Sequence, residues 1–160
     1  MTEISDGLTE RLARVIDDMK TVDGPCLPTL LAIQEEFGYV PKEAVPMLAT
    51  ALNISRAEVY GVLTFYHELH TEPKGRHVVR LCRAESCQAA GGEAVAAEVE
   101  RRLNLKTGET ASDRSVTIEA VYCFGDCALS PTAMVDERLI GRITAEKVLN
   151  RLDTAAKGER

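Results

Sequence analysis

The sequence is poor in aromatic residues and has no tryptophan and no long apolar run. Phe, Tyr and Trp make up 4% of the 160 residues, so Leu, Val, Ile and Ala must form the core. No apolar stretch approaches the roughly 20 residues that a bilayer-spanning helix needs, so we expect no direct membrane insertion. The start, Met1–Gly7, is polar and acidic, whereas a secretory signal is basic and then apolar. Together these absences predict a cytoplasmic protein.

The sequence also lacks an excess of positive charge. Its formal net charge is −6, which gives no basis for binding nucleic acid, because phosphate contacts require Lys and Arg. Residues 1–72 carry 12 Asp or Glu against 5 Lys or Arg, whereas residues 73–160 carry 13 against 14. This uneven charge indicates two segments with different surroundings, although a solvated helical surface would give the same pattern.

The first segment, residues 1–72, has the pattern of a helical subdomain. Apolar residues at helical spacing predict helices over 8–20, over 27–37 with Gly38 as its stop, and from Pro41 through Leu52. Ser55 and Glu58 form a capping-box pattern before a fourth helix that ends near Tyr66. The expected core positions of the second and third helices are Leu30, Leu31, Ile33, Phe37, Val45, Leu48, Ala49 and Leu52.

The second segment, residues 73–160, changes to a β-α-β-β-β-α order. The predicted strands are 77–82, 116–123, 133–135 and 139–143, and the predicted helices are 92–104 and a last one capped by Thr144. The tail after Thr154 is expected to fray. Two strands joined by a helix are normally parallel, with a right-handed crossover. The whole chain is therefore predicted to be α+β, with a helix bundle followed by an α/β domain.

Four of the five cysteines follow the two strands that this crossover joins. Cys82 ends the first strand and Cys87 lies in the next loop; Cys123 ends the second strand and Cys127 lies in its loop. Because the carboxyl ends of parallel strands lie at one end of the sheet, we expect the two loops to meet there, where α/β sheets usually bind ligands.

Four converging thiolates are compatible with several kinds of site. They can ligate a 2Fe–2S cluster, with two thiolates on each iron, and Arg80 and Arg83 would then favour reduction while Glu85 and Asp126 oppose it. Zinc also accepts four thiolates, although structural zinc sites usually contain a C-x2-C knuckle, which is absent. Disulfides would require an oxidising compartment, and a dithiol redox site would require C-x-x-C. The spacing favours the cluster but leaves zinc open.

The remaining candidates give weaker signals. Cys26 lies at a helix start with no Cys or His nearby, which favours a small buried residue over a ligand. His67 and His70 are spaced to share a helical face, but without a third ligand we interpret them as hinge or interface residues. The aromatic residues Tyr60, Phe65 and Tyr66 are expected to pack between segments.

Four separated motifs resemble a known family. They are Ala32–Pro41 (AIQEEFGYVP), Val59–Tyr66 (VYGVLTFY) and the two cysteine pairs. In this order they resemble the thioredoxin-like 2Fe–2S subunit of NADH dehydrogenases, over about residues 8–153. Within that family, the loop Cys82–Gly92 (CRAESCQAAGG) and the short ending Ala133–Arg142 look most like the gamma subunit of cytoplasmic, molybdenum-dependent NAD formate dehydrogenase. Asp126 departs from the small or apolar residue that is common there.

The resemblance implies a thioredoxin-like domain over 73–160 that holds one 2Fe–2S cluster on Cys82, Cys87, Cys123 and Cys127. It implies an electron-transfer subunit with no active site of its own, beside a flavin- and NADH-binding subunit that carries FMN. A molybdenum-containing catalytic subunit, with its molybdenum cofactor and further Fe–S clusters, would oxidise formate. The same resemblance admits respiratory NADH dehydrogenase, an NAD-linked hydrogenase or a free-standing ferredoxin, and the residues alone also admit a zinc-stabilised interaction module.

Overall fold

The computed structural model describes the backbone of residues 3–158 and the side chains of residues 7–158. The beginning of the polar start and the last two residues of the predicted tail lie outside this range. The chain divides into two compact units between Pro73 and Lys74. Each unit has its own hydrophobic core, and the break lies one residue beyond the position where the charge pattern changes.

The first unit consists of four helices. They are α1 (Glu3–Met19), α2 (Cys26–Phe37), α3 (Ala44–Leu52) and α4 (Arg56–Phe65). Their apolar faces meet in a core whose fully buried side chains include Leu12, Leu30, Ile33, Leu48 and Val59. Because these positions recur at helical spacing, burying them fixes which face of each helix points inward.

Local sequence signals set the helix ends of this unit. Gly38 ends α2 in the left-handed conformation with a φ of 79°, and its N–H bonds the Gln34 carbonyl oxygen. The Ser55–Glu58 capping box predicted before α4 is present, with both reciprocal hydrogen bonds formed. Four predicted helices are thus confirmed, and the capping box is confirmed at the level of individual atoms.

Several predicted details of this unit are wrong. The first helix begins at Glu3 rather than at residue 8. The third begins at Ala44 rather than at Pro41, because Pro41 opens a turn in which its carbonyl oxygen accepts a hydrogen bond from the Ala44 N–H. Leu31 is expected in the core but is 45% exposed. Since α4 ends at Phe65, His67 and His70 lie beyond it and share no helical face.

The second unit is a four-stranded sheet with helices. In chain order it contains β1 (His77–Cys82), α5 (Glu85–Ala89), α6 (Gly92–Leu103), β2 (Val116–Val121), a 3₁₀ turn (Cys127–Leu129), β3 (Ala133–Val135), β4 (Arg138–Ile140) and α7 (Ala145–Ala156). The strand order is β2-β1-β3-β4. β1 and β2 are parallel as predicted, and the other two pairings are antiparallel.

One face of this sheet and helices α6 and α7 form the second core. Val79 and Leu81 of β1 and Ile118 of β2 point into this core from the same face of the sheet. Val99 of α6 and Val148 of α7 pack against them. Alternation places Arg80 on the other face, where the Glu119 carboxylate accepts from the Arg80 guanidinium at 3.1 Å.

The structure differs in four places from the elements predicted for the second segment. β2 ends at Val121, so Tyr122 and Cys123 lie in a loop and Tyr122 is 76% exposed. The short helix α5 was not predicted, and β4 is shorter than expected. The last helix is capped by Thr144 as predicted, but it continues to Ala156, so the chain does not fray immediately after Thr154. Within the described part of the chain, no helix has both the length and the apolar character needed to cross a bilayer.

Candidate functional site

The two cysteine loops leave the sheet at the same edge. In the parallel register, Cys82 at the end of β1 lies opposite Val121 at the end of β2. The N–H of Arg83 donates to the Val121 carbonyl oxygen at 2.8 Å, so the pairing continues just past Cys82. This confirms the expectation that a parallel β-α-β arrangement brings the two distant loops together.

Cys82 and Cys87 form a buried pair. Cys82 is 5% exposed at the end of β1, and α5 carries Cys87, which is 2% exposed. Two hydroxyl groups from the second loop lie against the Cys87 sulfur: Thr132 Oγ1 at 3.5 Å and Ser130 Oγ at 3.6 Å. The first pair therefore lies in a largely dry environment that contains hydrogen-bond donors.

Cys123 and Cys127 form an exposed pair. Their Sγ atoms are 3.7 Å apart. A tetrahedral metal with metal–sulfur bonds of about 2.3 Å separates two of its sulfurs by about 3.8 Å, so this spacing suits two ligands of one metal centre. Cys123 has a φ of 126°, a strained conformation for a residue other than glycine. The N–H of Gly125 donates to the Cys123 sulfur at 3.2 Å.

The electrostatics of the thiols reflect these environments. Burial raises the pKa of Cys82. Burial also acts to raise the pKa of Cys87, but hydrogen bonds to its sulfur, first among them the one from the Thr132 hydroxyl, outweigh it and leave this pKa lowered. The pKa of Cys127 is raised by its hydrogen bond with Cys123, by the Cys123 charge and, to a lesser degree, by the charges of Cys87 and Cys82. The two pairs thus lie within electrostatic reach of each other.

Two serines hold the loops together. Ser86 Oγ of α5 lies 2.8 Å from Ser130 Oγ, and Ser130 Oγ donates to the Cys127 carbonyl oxygen at 2.8 Å. Ser86, Ser130 and Thr132 were not predicted from the sequence. The available signal was their position, since Ser86 directly precedes Cys87, and Ser130 and Thr132 follow Cys127 within five residues.

The charged residues expected to influence the site are mostly paired. The Arg83 guanidinium is held by the Glu93 carboxylate, with Nε to Oε1 at 2.7 Å, and Arg80 is held by Glu119. The positive charge of Arg83 is therefore largely compensated, whereas Arg80 shares the single Glu119 carboxylate with Lys74. Asp126 is half-buried directly before Cys127, where its backbone carbonyl accepts from the Leu129 N–H.

Cys26 is not part of this arrangement. It is the first residue of α2 in the helical unit, half-buried, and packs against that unit's core. Burial and the nearby Glu58 carboxylate raise the pKa of its thiol, which makes it a poor nucleophile and ligand. Among the side chains that the structure describes, those of residues 7–158, no group of three or more His, Cys, Asp or Glu is arranged to hold a single metal ion. The four site cysteines instead stand as two pairs, which fits the donor set of a two-iron cluster.

The fold and the paired thiols define the class: an α+β protein with a parallel β-α-β core and a cysteine site at the carboxyl ends of its strands. The chain belongs to the thioredoxin-like [2Fe-2S] ferredoxin family, whose sequence profile matches residues 12–156. This family has one 2Fe–2S cluster, so the chain is an electron-transfer protein. The family match, and not the spacing of the cysteines, decides between iron–sulfur and zinc.

The curated relatives are similar over most of the chain. The E subunit of NADH-quinone oxidoreductase from Escherichia coli K12 is 34% identical over 127 residues, which cover 79% of this chain and 76% of the relative. The corresponding Pseudomonas aeruginosa protein is 32% identical over the same shares. An E subunit of the same kind of enzyme from Rhizobium meliloti is 34% identical over 84% of this chain and 80% of its own length.

Among solved structures, an NAD⁺-reducing [NiFe]-hydrogenase in the air-oxidised state has a similar fold. The match has a TM-score of 0.66 and 19% identity and covers 81% of this chain. This chain spans only 23% of the hydrogenase chain. The likeness therefore concerns the fold alone.

Proposed function

We propose that this chain is the electron-transfer subunit of an NAD-linked oxidoreductase, with its 2Fe–2S cluster ligated by Cys82, Cys87, Cys123 and Cys127. The observation that carries the ligand assignment is the meeting of two thiol pairs at one sheet edge, with the Sγ atoms of Cys123 and Cys127 3.7 Å apart. Each pair would supply two thiolates to one iron. In this function the chain has no substrate pocket of its own.

For the host complex, we propose an NAD-dependent formate dehydrogenase. The support is the resemblance of the loop Cys82–Gly92 and of the short ending Ala133–Arg142 to the gamma subunit of such enzymes. The complex would then contain a flavin- and NADH-binding subunit with FMN and a catalytic subunit with the molybdenum cofactor and further Fe–S clusters. We place it in the cytoplasm.

Respiratory NADH dehydrogenase is an equally supported host, because the curated relatives named above are E subunits of NADH-quinone oxidoreductases. NAD-linked hydrogenase is a further alternative host. In every host the proposed role of this chain is the same, because one cluster beside a flavin-containing partner can store or relay single electrons.

The residues around the site would have different roles. The bound cluster supplies one-electron chemistry. Burial of Cys82 and Cys87 excludes water from one side, while exposure of Cys123 and Cys127 leaves the other side near the protein surface, where electrons can be exchanged. The Ser86–Ser130 contact and the hydrogen bond from Ser130 to the Cys127 carbonyl keep the two loops in register.

We also propose two domains with different roles, residues 1–72 and residues 73–160. The helical domain would dock against partner subunits, and the second domain would hold the cluster. The support is that each unit has a separate hydrophobic core and that the net negative charge is concentrated in the helical one.

Low-temperature EPR of dithionite-reduced protein tests the ligand assignment. The wild type should give the signal of one reduced 2Fe–2S cluster, and replacing any one of the four cysteines with Ala should abolish it or change it strongly. Cys26→Ser is the matched control and should leave the signal intact. Loss of the signal in this control would mean that the wrong four cysteines were chosen, and silence from iron-replete wild type would refute the proposal.

Purification of the native complex identifies the host. A formate dehydrogenase should bring molybdenum and FMN with this chain and reduce NAD⁺ with formate. Nickel in place of molybdenum would assign a hydrogenase, and quinone reduction by NADH would assign a respiratory complex. A coloured homodimer without partners would assign a free-standing ferredoxin.

A further inference from the structure

Thr132 is a buried polar residue whose main chain and side chain both face the first cysteine pair. It is 2% exposed. Its carbonyl oxygen accepts from the Cys82 N–H at 3.1 Å, and its Oγ1 lies 3.5 Å from the Cys87 sulfur. Its position directly before β3 fixes this placement, since Ala133 pairs with Leu81 in the sheet.

A buried hydroxyl group needs an acceptor for its hydrogen, because an unsatisfied polar group costs free energy. For Thr132 the sulfur of Cys87 supplies that acceptor. A neutral thiol is a weak acceptor, whereas a thiolate bound to iron carries negative charge and accepts more strongly. The hydroxyl of Thr132 is therefore placed to interact best with a charged sulfur.

Ser130 lies at a similar distance from the same sulfur but has another partner. Its single hydroxyl hydrogen donates to the Cys127 carbonyl oxygen at 2.8 Å, a much shorter contact than its 3.6 Å separation from the Cys87 sulfur. Ser86 is a second hydroxyl neighbour of Ser130, at 2.8 Å. Because one hydrogen cannot serve both acceptors, Ser130 mainly holds the loops together. Thr132 is the donor to the first cysteine pair: its hydroxyl oxygen lies 3.5 Å from the Cys87 sulfur and also neighbours the Cys82 sulfur.

We propose that Thr132 sets the reduction potential of the cluster by donating its hydroxyl hydrogen to the Cys87 sulfur. The inference rests on the proposed ligation by Cys87. Reduction by one electron, from a flavin or from dithionite, converts one Fe³⁺ to Fe²⁺ and adds one negative charge, with no bond broken and no proton transferred. A donor to a ligating sulfur stabilises the more negative state, so Thr132 raises the potential. It is a positioning residue and not a ligand.

A potentiometric titration followed by EPR tests this role on the full chain with its cluster. Thr132→Val keeps the shape of the side chain and removes the hydroxyl. We expect it to lower the equilibrium constant for reduction about three- to tenfold, where tenfold corresponds to about 59 mV toward more negative potential. Thr132→Ser keeps the hydroxyl and should stay close to the wild-type potential, even where loss of the methyl group lowers the free energy of unfolding.

Thr132→Ala and Thr132→Ser form a second matched pair, which differs only in the hydroxyl and serves where the Val variant assembles no cluster. We expect the Ala variant to have the lower potential, by the same factor. Ser130→Ala is the control for loop packing and should shift the potential less than Thr132→Val. The inference would be overturned if Thr132→Val had the same reduction potential as wild type, or if Thr132→Ala had the same potential as Thr132→Ser. A shift in Ser130→Ala larger than that in Thr132→Val would also overturn it.

The two hypotheses fail in different ways. If iron-replete wild type gives no 2Fe–2S signal, or Cys87→Ala leaves the signal unchanged, the proposed ligation fails. If the wild type gives the signal and Cys87→Ala removes it, but removing the Thr132 hydroxyl leaves the potential in place, only the role of Thr132 fails.

Discussion

At the scale of single residues, the four site cysteines are chemically unequal. Cys82 and Cys87 are buried, and the Cys87 sulfur has hydroxyl neighbours, whereas Cys123 and Cys127 are exposed. If the four cysteines ligate the cluster as proposed, its reduction potential depends on neighbours that differ between the two pairs, because burial opposes added charge and hydrogen-bond donors favour it. Charged neighbours matter most where they are unpaired. Asp126 is therefore an informative charge, because it is half-buried next to Cys127, whereas Arg83 has a carboxylate partner and Arg80 shares one with Lys74.

Asp126→Asn should raise the reduction potential. The carboxylate is half-buried and adjacent in sequence to Cys127, and its negative charge opposes the addition of an electron nearby. Two unit charges about 4 Å apart in water interact with roughly 1 kcal/mol, which sets the scale of the shift at about 40 mV for a one-electron couple. A redox titration measures the shift. Glu137→Gln, an exposed change between β3 and β4, is the charge-matched control and should shift the potential much less. Equal shifts would show that only net charge matters.

At the scale of secondary-structure elements, the junction of α5 and α6 positions Cys87. A Cβ at Gly92 would lie 2.6 Å from the Cys87 carbonyl oxygen and 3.1 Å from its carbonyl carbon. Only a residue without a side chain allows α6 to begin this close to α5. The predicted start of a helix at Gly92 is confirmed, but the contact that requires glycine there could not be predicted without α5.

Gly92→Ala should lower the free energy of unfolding by about 1–3 kcal/mol, because the added carbon forces the two helices apart. It should also reduce cluster occupancy, since Cys87 moves with α5. Gly61→Ala is the matched control: Gly61 lies in α4, and apart from its chain neighbours and the backbone of its own helix no atom lies within 4 Å of the added Cβ. There the substitution should be neutral or stabilising by about 0.5–1 kcal/mol. Urea unfolding measures both, and equal effects would contradict the steric argument.

Glu100 fastens the end of α6 to the loop that follows. Its carboxylate accepts from the Thr107 hydroxyl at 2.7 Å and from the Thr107 N–H at 3.1 Å, and it pairs with Lys106. The Thr107 hydrogen bonds and, to a lesser degree, the Lys106 charge lower the pKa of Glu100 from 4.5 to about 2. Its stabilising contribution is therefore complete above about pH 4.5 and is lost as the pH falls through about 2.

Glu100→Gln should lower the free energy of unfolding near pH 6 by on the order of 1 kcal/mol. The difference in the free energy of unfolding between wild type and variant should narrow as the pH falls from about 4.5 to about 2, because the wild-type carboxylate takes up its proton. Urea unfolding of the metal-free protein across this pH range measures that difference. Glu98→Gln removes exposed pairs with Arg101 and Arg102 and should cost less, with an effect that salt abolishes. A pH-independent difference for Glu100→Gln would contradict the assignment.

At the scale of the whole molecule, the chain consists of two units with separate cores. The helical core is built around Leu12, Leu30 and Leu48, and the sheet core around Val79, Ile118 and Val148. All four cysteines proposed as cluster ligands belong to the second unit. Cluster binding should therefore depend on the second unit alone, whereas docking to partners is the role proposed for the first.

Residues 74–160 expressed alone should fold and bind one 2Fe–2S cluster, with an EPR signal like that of the full chain. The physical reason is that its core and its cysteine loops use only residues of this unit. Expression without residues 1–73 is expected to abolish co-purification with partner subunits. Residues 1–73 are the complementary control and should bind no iron. Loss of the cluster in a folded second unit would contradict this independence.

The sequence predicted most of the elements because their signals are local. The capping box at Ser55, the stop at Gly38 and the alternation in His77–Cys82 each depend on residues within one turn or strand. The wrong predictions concern residues whose burial or pairing depends on a neighbour distant in sequence. Leu31 has helical spacing but stays exposed among the described residues, and Tyr122 continues the strand alternation after the sheet has ended.

The sequence by itself determined the four cysteines, their division into two pairs and, through the parallel crossover, the fact that the pairs meet. Tertiary structure decided what surrounds them. Segments far apart in the chain approach each other, and this approach decides which cysteine pair is buried. It also pairs Arg80 and Arg83 with carboxylates and places the Thr132 hydroxyl 3.5 Å from the Cys87 sulfur. The reason is physical: ligand identity depends on residue type, whereas burial and hydrogen bonding depend on which surfaces fold against each other.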